Sequence, residues 1–293
     1  MRSNYIYQSK RKPAWMKWSV LVAALFVLVS CEEIMNVDFA GDSTKNLVVD
    51  GAITTDTTQH LVVLSYTGDY FAITDQEMAT GAIVFISDGT DIIPLRELKD
   101  GVYATEGAVA GKVGKKYTLN VILPDGREYT ASDTLEACGD IDSIRQSDNY
   151  NSFMTGYGYD VLFYGHEPQP AGNHYMYKLQ INNELYTDTI TEVNFADDEF
   201  VNGSFVRDYQ VFRINEKDLK ELTSQVTLEM YSISKKYYEF LLALMVETVW
   251  RGSPWDGPPA NIPGNVSNGG TGFFRASAVK RKTRTFLQLP RAN

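Results

Sequence analysis

Two cysteines and three histidines among 293 residues leave little material for a disulfide framework or a histidine-based metal centre. No apolar run approaches the roughly 20 residues that a membrane-spanning helix needs; the longest is ten, Val20 to Val29. Proline (10) and glycine (22) are too sparse for a collagen-like or low-complexity chain. With 44% hydrophobic and 22% charged residues, wholesale disorder is excluded as well. Cations are short: 27 Lys and Arg stand against 37 acids, a net charge of −10. That balance excludes a broadly nucleic-acid-binding protein, whose phosphate contacts need clustered cations. No Gly-x-Ser-x-Gly nucleophile motif occurs, and Ser267-Asn268-Gly269-Gly270-Thr271-Gly272 lacks the lysine of a phosphate loop. What the chain does have is tyrosine, 18 beside 14 Phe and 4 Trp, which suits half-exposed β-structure.

The first thirty residues read as an address. Arg2, Lys10, Arg11, Lys12 and Lys17 precede any acid, and the ten-residue apolar run follows, closing on Ser30-Cys31. A basic segment, a short apolar segment and a small residue, in that order, are the parts of an export signal. Leu28-Val29-Ser30-Cys31 resembles a lipobox, in which the thiol is acylated and Cys31 becomes the mature N-terminus. A buried strand ending in an ordinary cysteine is the competing reading, and it leaves the charge order unexplained. Removing residues 1–30 takes away five cations and no acid, leaving 263 residues with 22 cations against 37 acids, a net charge of −15. Cys138 then stands alone, so no internal disulfide can form; a small buried hydrophobe is expected there. Glu32 and Glu33 directly behind Cys31 resemble the acidic export signal of Bacteroidota surface lipoproteins. As a plain acidic linker they would only solvate the tether, residues 31–46.

From residue 47 the hydrophobic period is 2. Leu47–Ile53, His60–Thr67, Ala82–Ser87, Ile92–Leu98, Val102–Thr105, Tyr117–Leu123 and Glu128–Leu135 read as seven short strands, with Pro124-Asp125-Gly126-Arg127 as a hairpin turn. That spacing predicts an N-terminal Ig-like antiparallel β-sandwich over residues 47–136, with Tyr117 as a structural corner tyrosine. A polar stretch, 136–158, marks a boundary or an inter-domain strand. Residues 137–293 then read as a second β-rich domain, sandwich or barrel-like. Its strands are expected at Tyr159–Tyr164, His174–Ile181, Glu184–Ile190, Phe205–Ile214, Val226–Ile233, Phe273–Val279 and Thr283–Leu289. One amphipathic helix, 234–250, starts on the N-cap Ser234 and carries Tyr237, Tyr238, Leu241, Leu242, Met245 and Val249 at helical spacing. A Pro/Gly loop, 252–272, ends it. The whole is mostly β.

In that loop stands Pro258-Pro259-Ala260-Asn261, followed by Gly264-Asn265-Val266 and Gly272-Phe273-Phe274. With the helix before it, this block resembles the domain-of-unknown-function 4249 lipoproteins of the Bacteroidota. Leu47-Val48-Val49-Asp50-Gly51, Gly81-Ala82-Ile83-Val84 and Gly101-Val102-Tyr103 agree, and Gly-Phe-Phe departs mildly from the family's usual Gly-Tyr-Phe. The resemblance covers nearly all of the mature chain. It implies an outer-membrane lipoprotein encoded near TonB-dependent transporters, with no established activity and no catalytic residues to carry over.

Candidate chemistry is thin. Gly165-His166-Glu167-Pro168 begins like a zincin motif, but Pro168 and Pro170 forbid the helix it needs; His166 and His174 read as loop histidines, and no metal site or cofactor is expected. Asp197-Asp198-Glu199 lacks the alternating ligands of a calcium loop. Five Asp-Ser/Thr triplets resemble the Bacteroidota O-glycosylation sequon and place candidate acceptors at Ser43, Thr57, Thr134, Ser143 and Thr189; ordinary turn-into-strand chemistry makes the same pattern. Trp250, Arg251, Trp255, Phe273, Phe274 and Arg275 form a candidate partner or ligand surface. They lead into a basic tail with Lys280, Arg281, Lys282, Arg284 and Arg291. That tail reads equally as a dock for an acidic partner or lipopolysaccharide phosphates, or as a basic face that discourages edge pairing.

The expected function is a non-enzymatic accessory binding protein of a TonB-dependent uptake system, lipid-anchored at the outer membrane and exposed at the cell surface. Its expected partners are a transporter barrel and, through the Cys31 lipid, the membrane; the ligand itself is not legible. An adhesin or surface-structural subunit is the alternative, and a hydrolase assembled from distant strands a remoter one.

Overall fold

The computed structural model describes residues 45–68, 76–151, 156–219, 221–249 and 262–288. Period-2 alternation becomes strands β1 (Leu47–Thr54), β2 (Leu61–Tyr66), β3 (Ile83–Ser87), β4 (Ile92–Lys99), β5 (Val102–Thr105), β6 (Lys116–Ile122) and β7 (Glu128–Thr134). After them come β8 (Ser143–Asn151), β9 (Gly156–His166), β10 (His174–Ile181), β11 (Glu184–Leu185), β12 (Asn194–Asp197), β13 (Phe205–Asn215) and β14 (Thr223–Ile233). Helix α1 (Lys235–Val249) and strands β15 (Thr271–Ser277) and β16 (Val279–Leu287) end the described chain. Ser234 caps α1, its hydroxyl accepting the Tyr237 N–H at 3.3 Å.

The expected Ig-like sandwich is instead one curled sheet. Eight strands hydrogen-bond in the order β15-β1-β2-β5-β4-β3-β6-β7, all antiparallel except the β1–β15 pair. Alternation is the same for a sandwich and for a sheet that curls toward closure, so strand pattern alone does not separate them. Inward residues such as Leu47, Ile53, Leu64, Ile86, Leu119 and Phe274 fill the interior. Tyr117 is structural, its hydroxyl accepting the Lys112 N–H at 2.8 Å. Gly126 (φ 87°) makes the β6–β7 turn, as its place in Pro124-Asp125-Gly126-Arg127 predicts.

The two edge strands, β7 and β15, are nearly joined. Asn265 donates its amide to Ser132 O (3.0 Å) on one edge and to Phe274 O (2.8 Å) on the other, and accepts the Phe274 N–H (3.0 Å). Asp133 adds a second clasp, accepting Ala276 N–H at 3.0 Å. Gly272 is required here: at φ 85°, a Cβ would lie 2.1 Å from Val49 O.

Two smaller antiparallel sheets follow. One has the order β11-β10-β14-β16 with β12 also on β10; the other is β13-β9-β8. Their facing sides share a core that includes Ile144, Val161, Phe163, Tyr177, Leu228 and Phe286. Strand 184–190 shrinks to Glu184–Leu185, because Thr187 turns inward and accepts the Leu179 N–H at 3.1 Å. The polar stretch 136–158 supplies β8. β15 and β16 are separated by Ala278 alone, so the chain passes directly from the barrel edge to the second group of sheets. The described residues belong to one unit.

An ion cluster ties β16 to the turn after β1. Arg281 grips Asp56 with both terminal nitrogens (2.8 and 2.7 Å) and sets Nε on the buried Glu229 (2.5 Å). The Arg281 hydrogen bond holds the Asp56 carboxyl below its ordinary 3.8, against the pull of burial. A depressed folded pKa contributes stability that is full above the unfolded value and is lost as pH falls through the folded one. Since Asp56 is about one-third exposed, screening limits this to less than about 1 kcal/mol. Asp56→Asn is therefore expected to lower the melting temperature slightly at neutral pH, and the difference from wild type to shrink as pH falls below the unfolded Asp56 value. Equal melting at neutral pH would show that the clasp contributes nothing.

Candidate functional site

A cleft of about 320 Å³ opens where α1 lies over the barrel edge and β10. Its floor is Met176 and Lys178 of β10 and Val48 and Asp50 of β1; α1 contributes Tyr237, Phe240 and Leu244 to its wall, and the turn Thr187–Ile190 its rim. The alternation of β10 explains the floor: Tyr175, Tyr177 and Leu179 enter the core between the sheets, which leaves Met176 and Lys178 on the other face. The rim is held by Glu192, which accepts the N–H groups of Asp188 (3.2 Å) and Thr189 (3.4 Å).

Lys178 is the distinctive group. It stands opposite Glu229 in the β10–β14 register, but that carboxylate already takes Arg281 and the Tyr231 hydroxyl (2.8 Å). Burial pushes the Lys178 ammonium pKa down; Arg275 adds repulsion, while Glu229 and Asp50 oppose the shift. Its amine forms no hydrogen bond or ion pair among the described residues. An incompletely solvated cation in an aromatic cleft can receive the acidic group of a ligand whose body is apolar. Its only signal in the sequence is a lysine inside the apolar run His174–Ile181, which period-2 reading passes over.

Of the expected partner or ligand surface, the described aromatics are buried, and Phe273 lines the cleft. Phe274 is fully buried in the barrel and Phe273 is 4% exposed beneath α1, packed on Tyr237 (4.9 Å between ring centroids) and Phe240 (5.4 Å). Both faces of β15 are covered, so adjacent aromatics there are core on either side. Arg275 is half-buried, its guanidinium lying 5.1 Å from the Tyr231 ring centroid and 5.8 Å from that of Tyr237. Trp250, Arg251 and Trp255 lie outside the described residues. The basic strand spends charge internally: Lys280 pairs with Asp140 (2.7 Å), Arg281 is clasped, and Arg284 donates to Ile144 O (2.9 Å).

Cys31, Glu32, Glu33 and Ser43 also fall outside the described residues. Thr57, Thr134 and Thr189 are exposed and Ser143 is half-buried. The histidines are dispersed: His60 is buried with Nε2 2.8 Å from Val109 O, His166 is exposed beside Asp142, and His174 packs on the Tyr238 ring. Asp198 is a structural clasp, accepting Gly172 N–H at 2.9 Å and the Asn173 amide at 3.0 Å. Burial pushes the Cys138 thiol up to about 12, far from reactive. Among the described residues no three His, Cys, Asp or Glu side chains converge as metal ligands. The family model described as Domain of unknown function (DUF4249) matches residues 32–283. No curated protein matches the chain.

Proposed function

We propose, for a chain that belongs to the domain-of-unknown-function DUF4249 family, a surface-displayed, lipid-anchored outer-membrane protein that serves as the binding accessory of a TonB-dependent uptake system. Two lines support this reading. The address is the basic, apolar and lipobox order of residues 1–31, with the family match beginning at Glu32, next to Cys31. Binding rests on one observation, the aromatic cleft with Lys178 unpaired on its floor. The protein catches its ligand there, with no reaction of its own, and hands it to the transporter. Exposed Thr57, Thr134 and Thr189 are available for O-glycosylation, which would keep the displayed surface solvated.

The test is extraction of the tagged, full-length protein in mild detergent followed by affinity capture. A transporter barrel is expected in stoichiometric amounts. A clean monomer would overturn the accessory role, and a ladder of polymers in size exclusion would favour the adhesin.

A further inference from the structure

A second cavity, of about 200 Å³, lies between the two smaller sheets at the end where β12 turns toward β13. Its walls are rings and acids: Phe163 of β9, Tyr177 of β10 and Tyr209 of β13, with Glu167 and Asp197 beside them and Phe200 on the rim. All three rings line the cavity, and the Tyr177 ring centroid is 6.2 Å from that of Phe163 and 6.4 Å from that of Tyr209. Glu167 is oriented by the Tyr175 hydroxyl (2.7 Å) and the Asn173 amide (3.2 Å). The rim is built: Asp198 ties the turn to Gly172 and Asn173, and this holds Phe200 91% exposed at the mouth. A phenyl ring left in water at an anchored turn has no packing role, yet it is placed to cover an occupant.

No lysine or arginine is among the described residues lining the cavity. Ring faces carry the negative end of the aromatic quadrupole, and Asp197 and Glu167 add acidic groups of the same sign, with burial raising the Glu167 pKa. We propose that this cavity is a binding site for a small organic cation, an alkylated or quaternary ammonium group. The volume fits, since about 150 Å³ holds a benzene-sized ligand. The other polar groups of the described lining are the hydroxyls of Tyr175, Tyr177 and Tyr209, so it offers an anion no cationic donor. The same acids repel a phosphate next to the cation, so the occupant is a free ammonium compound and not a phospholipid headgroup. The site is separate from the Lys178 cleft and does not depend on the transporter reading.

Calorimetric titration of the purified full chain in maltoside detergent tests it, with choline, its uncharged isostere 3,3-dimethylbutanol, and phosphocholine as ligands. Choline is expected to bind about tenfold more tightly than the alcohol and more tightly than phosphocholine. Phe200→Ala, at a position too exposed to matter for folding, should weaken choline by about threefold, and Tyr209→Ala and Glu167→Gln by about tenfold each. Melting curves identify any variant that fails to fold, and Phe200→Ala then carries the test. Equal binding of choline and the alcohol, stronger binding of phosphocholine, no choline binding, or wild-type affinity in Phe200→Ala would each overturn the proposal.

Discussion

Asn265→Ala is expected to destabilise the protein by about 2–4 kcal/mol, because it removes three hydrogen bonds and leaves their backbone partners at the seam unsatisfied. Those partners, Ser132 O, Phe274 O and Phe274 N–H, belong to the two edges of the eight-stranded sheet. Edges that stay unpaired are sites of slippage and association, so the clasp also protects the barrel from foreign strands. Asn265→Asp makes the argument sharper. It has the same shape, but an ionised carboxylate cannot donate, so it would face two carbonyl oxygens with negative charge. The aspartate variant is therefore expected to be no more stable than the alanine one, although it can still accept from Phe274. For a domain of this size each kcal/mol moves the melting temperature by roughly 2–4 °C. Thermal melting followed by circular dichroism reads the difference. An alanine variant that melts within a degree of wild type would show that Asp133 and the core close the barrel without Asn265.

That clasp also shows where legibility in the sequence stopped. Gly264-Asn265-Val266 stands out as part of a family-like block, but only the fold reveals that its asparagine spans two strands far apart in sequence, at Ser132 and Phe274. Strand positions were legible because burial on one face imposes period 2, as β6 and β7 show with their alternating exposure. Strand partners were not, because β1 takes a parallel neighbour from residues 271–277, and alternation carries no information on pairing. β12 was missed: Asn194–Asp197 is four residues, half-exposed and ending in acid, too short for any periodicity to register. Helix α1 was legible from Ser234 and its spacing, yet among its residues only Leu241 is fully buried. The burial of Phe273 and Phe274 within the candidate partner or ligand surface was not legible, for the converse reason. A strand covered on both faces lacks polar alternation, so its buried aromatics resemble a surface cluster when neighbouring cations are counted with them. Lys178, Glu167 and Tyr209 come from separate stretches of the chain, and only folding places each in its cavity.

The second large effect follows from the proposal that Cys31 is lipidated and that Glu32 and Glu33 direct surface display. Cys31→Ala is expected to abolish membrane attachment and to leave either a soluble periplasmic species or an uncleaved precursor. The apolar run Val20–Val29 spans only about 15 Å as a helix, half of a hydrocarbon core of about 30 Å. It cannot hold the chain in a bilayer unaided. One acyl chain gives marginal, reversible binding, whereas two or more on one cysteine give a stable anchor, so loss of the thiol removes nearly all membrane affinity at once. Glu32→Ala with Glu33→Ala separates anchoring from display: the lipid is kept, since its acceptor is intact, and surface exposure is lost. Metabolic labelling with palmitate reads the lipid, and protease shaving of intact cells reads the exposure. Wild type should be labelled and shaved, the double variant labelled and protected, and Cys31→Ala unlabelled. Absence of label on wild type would end the lipoprotein reading. A labelled double variant that is still fully shaved would end only the sorting role of the two glutamates, and would leave them as a solvated stretch of tether.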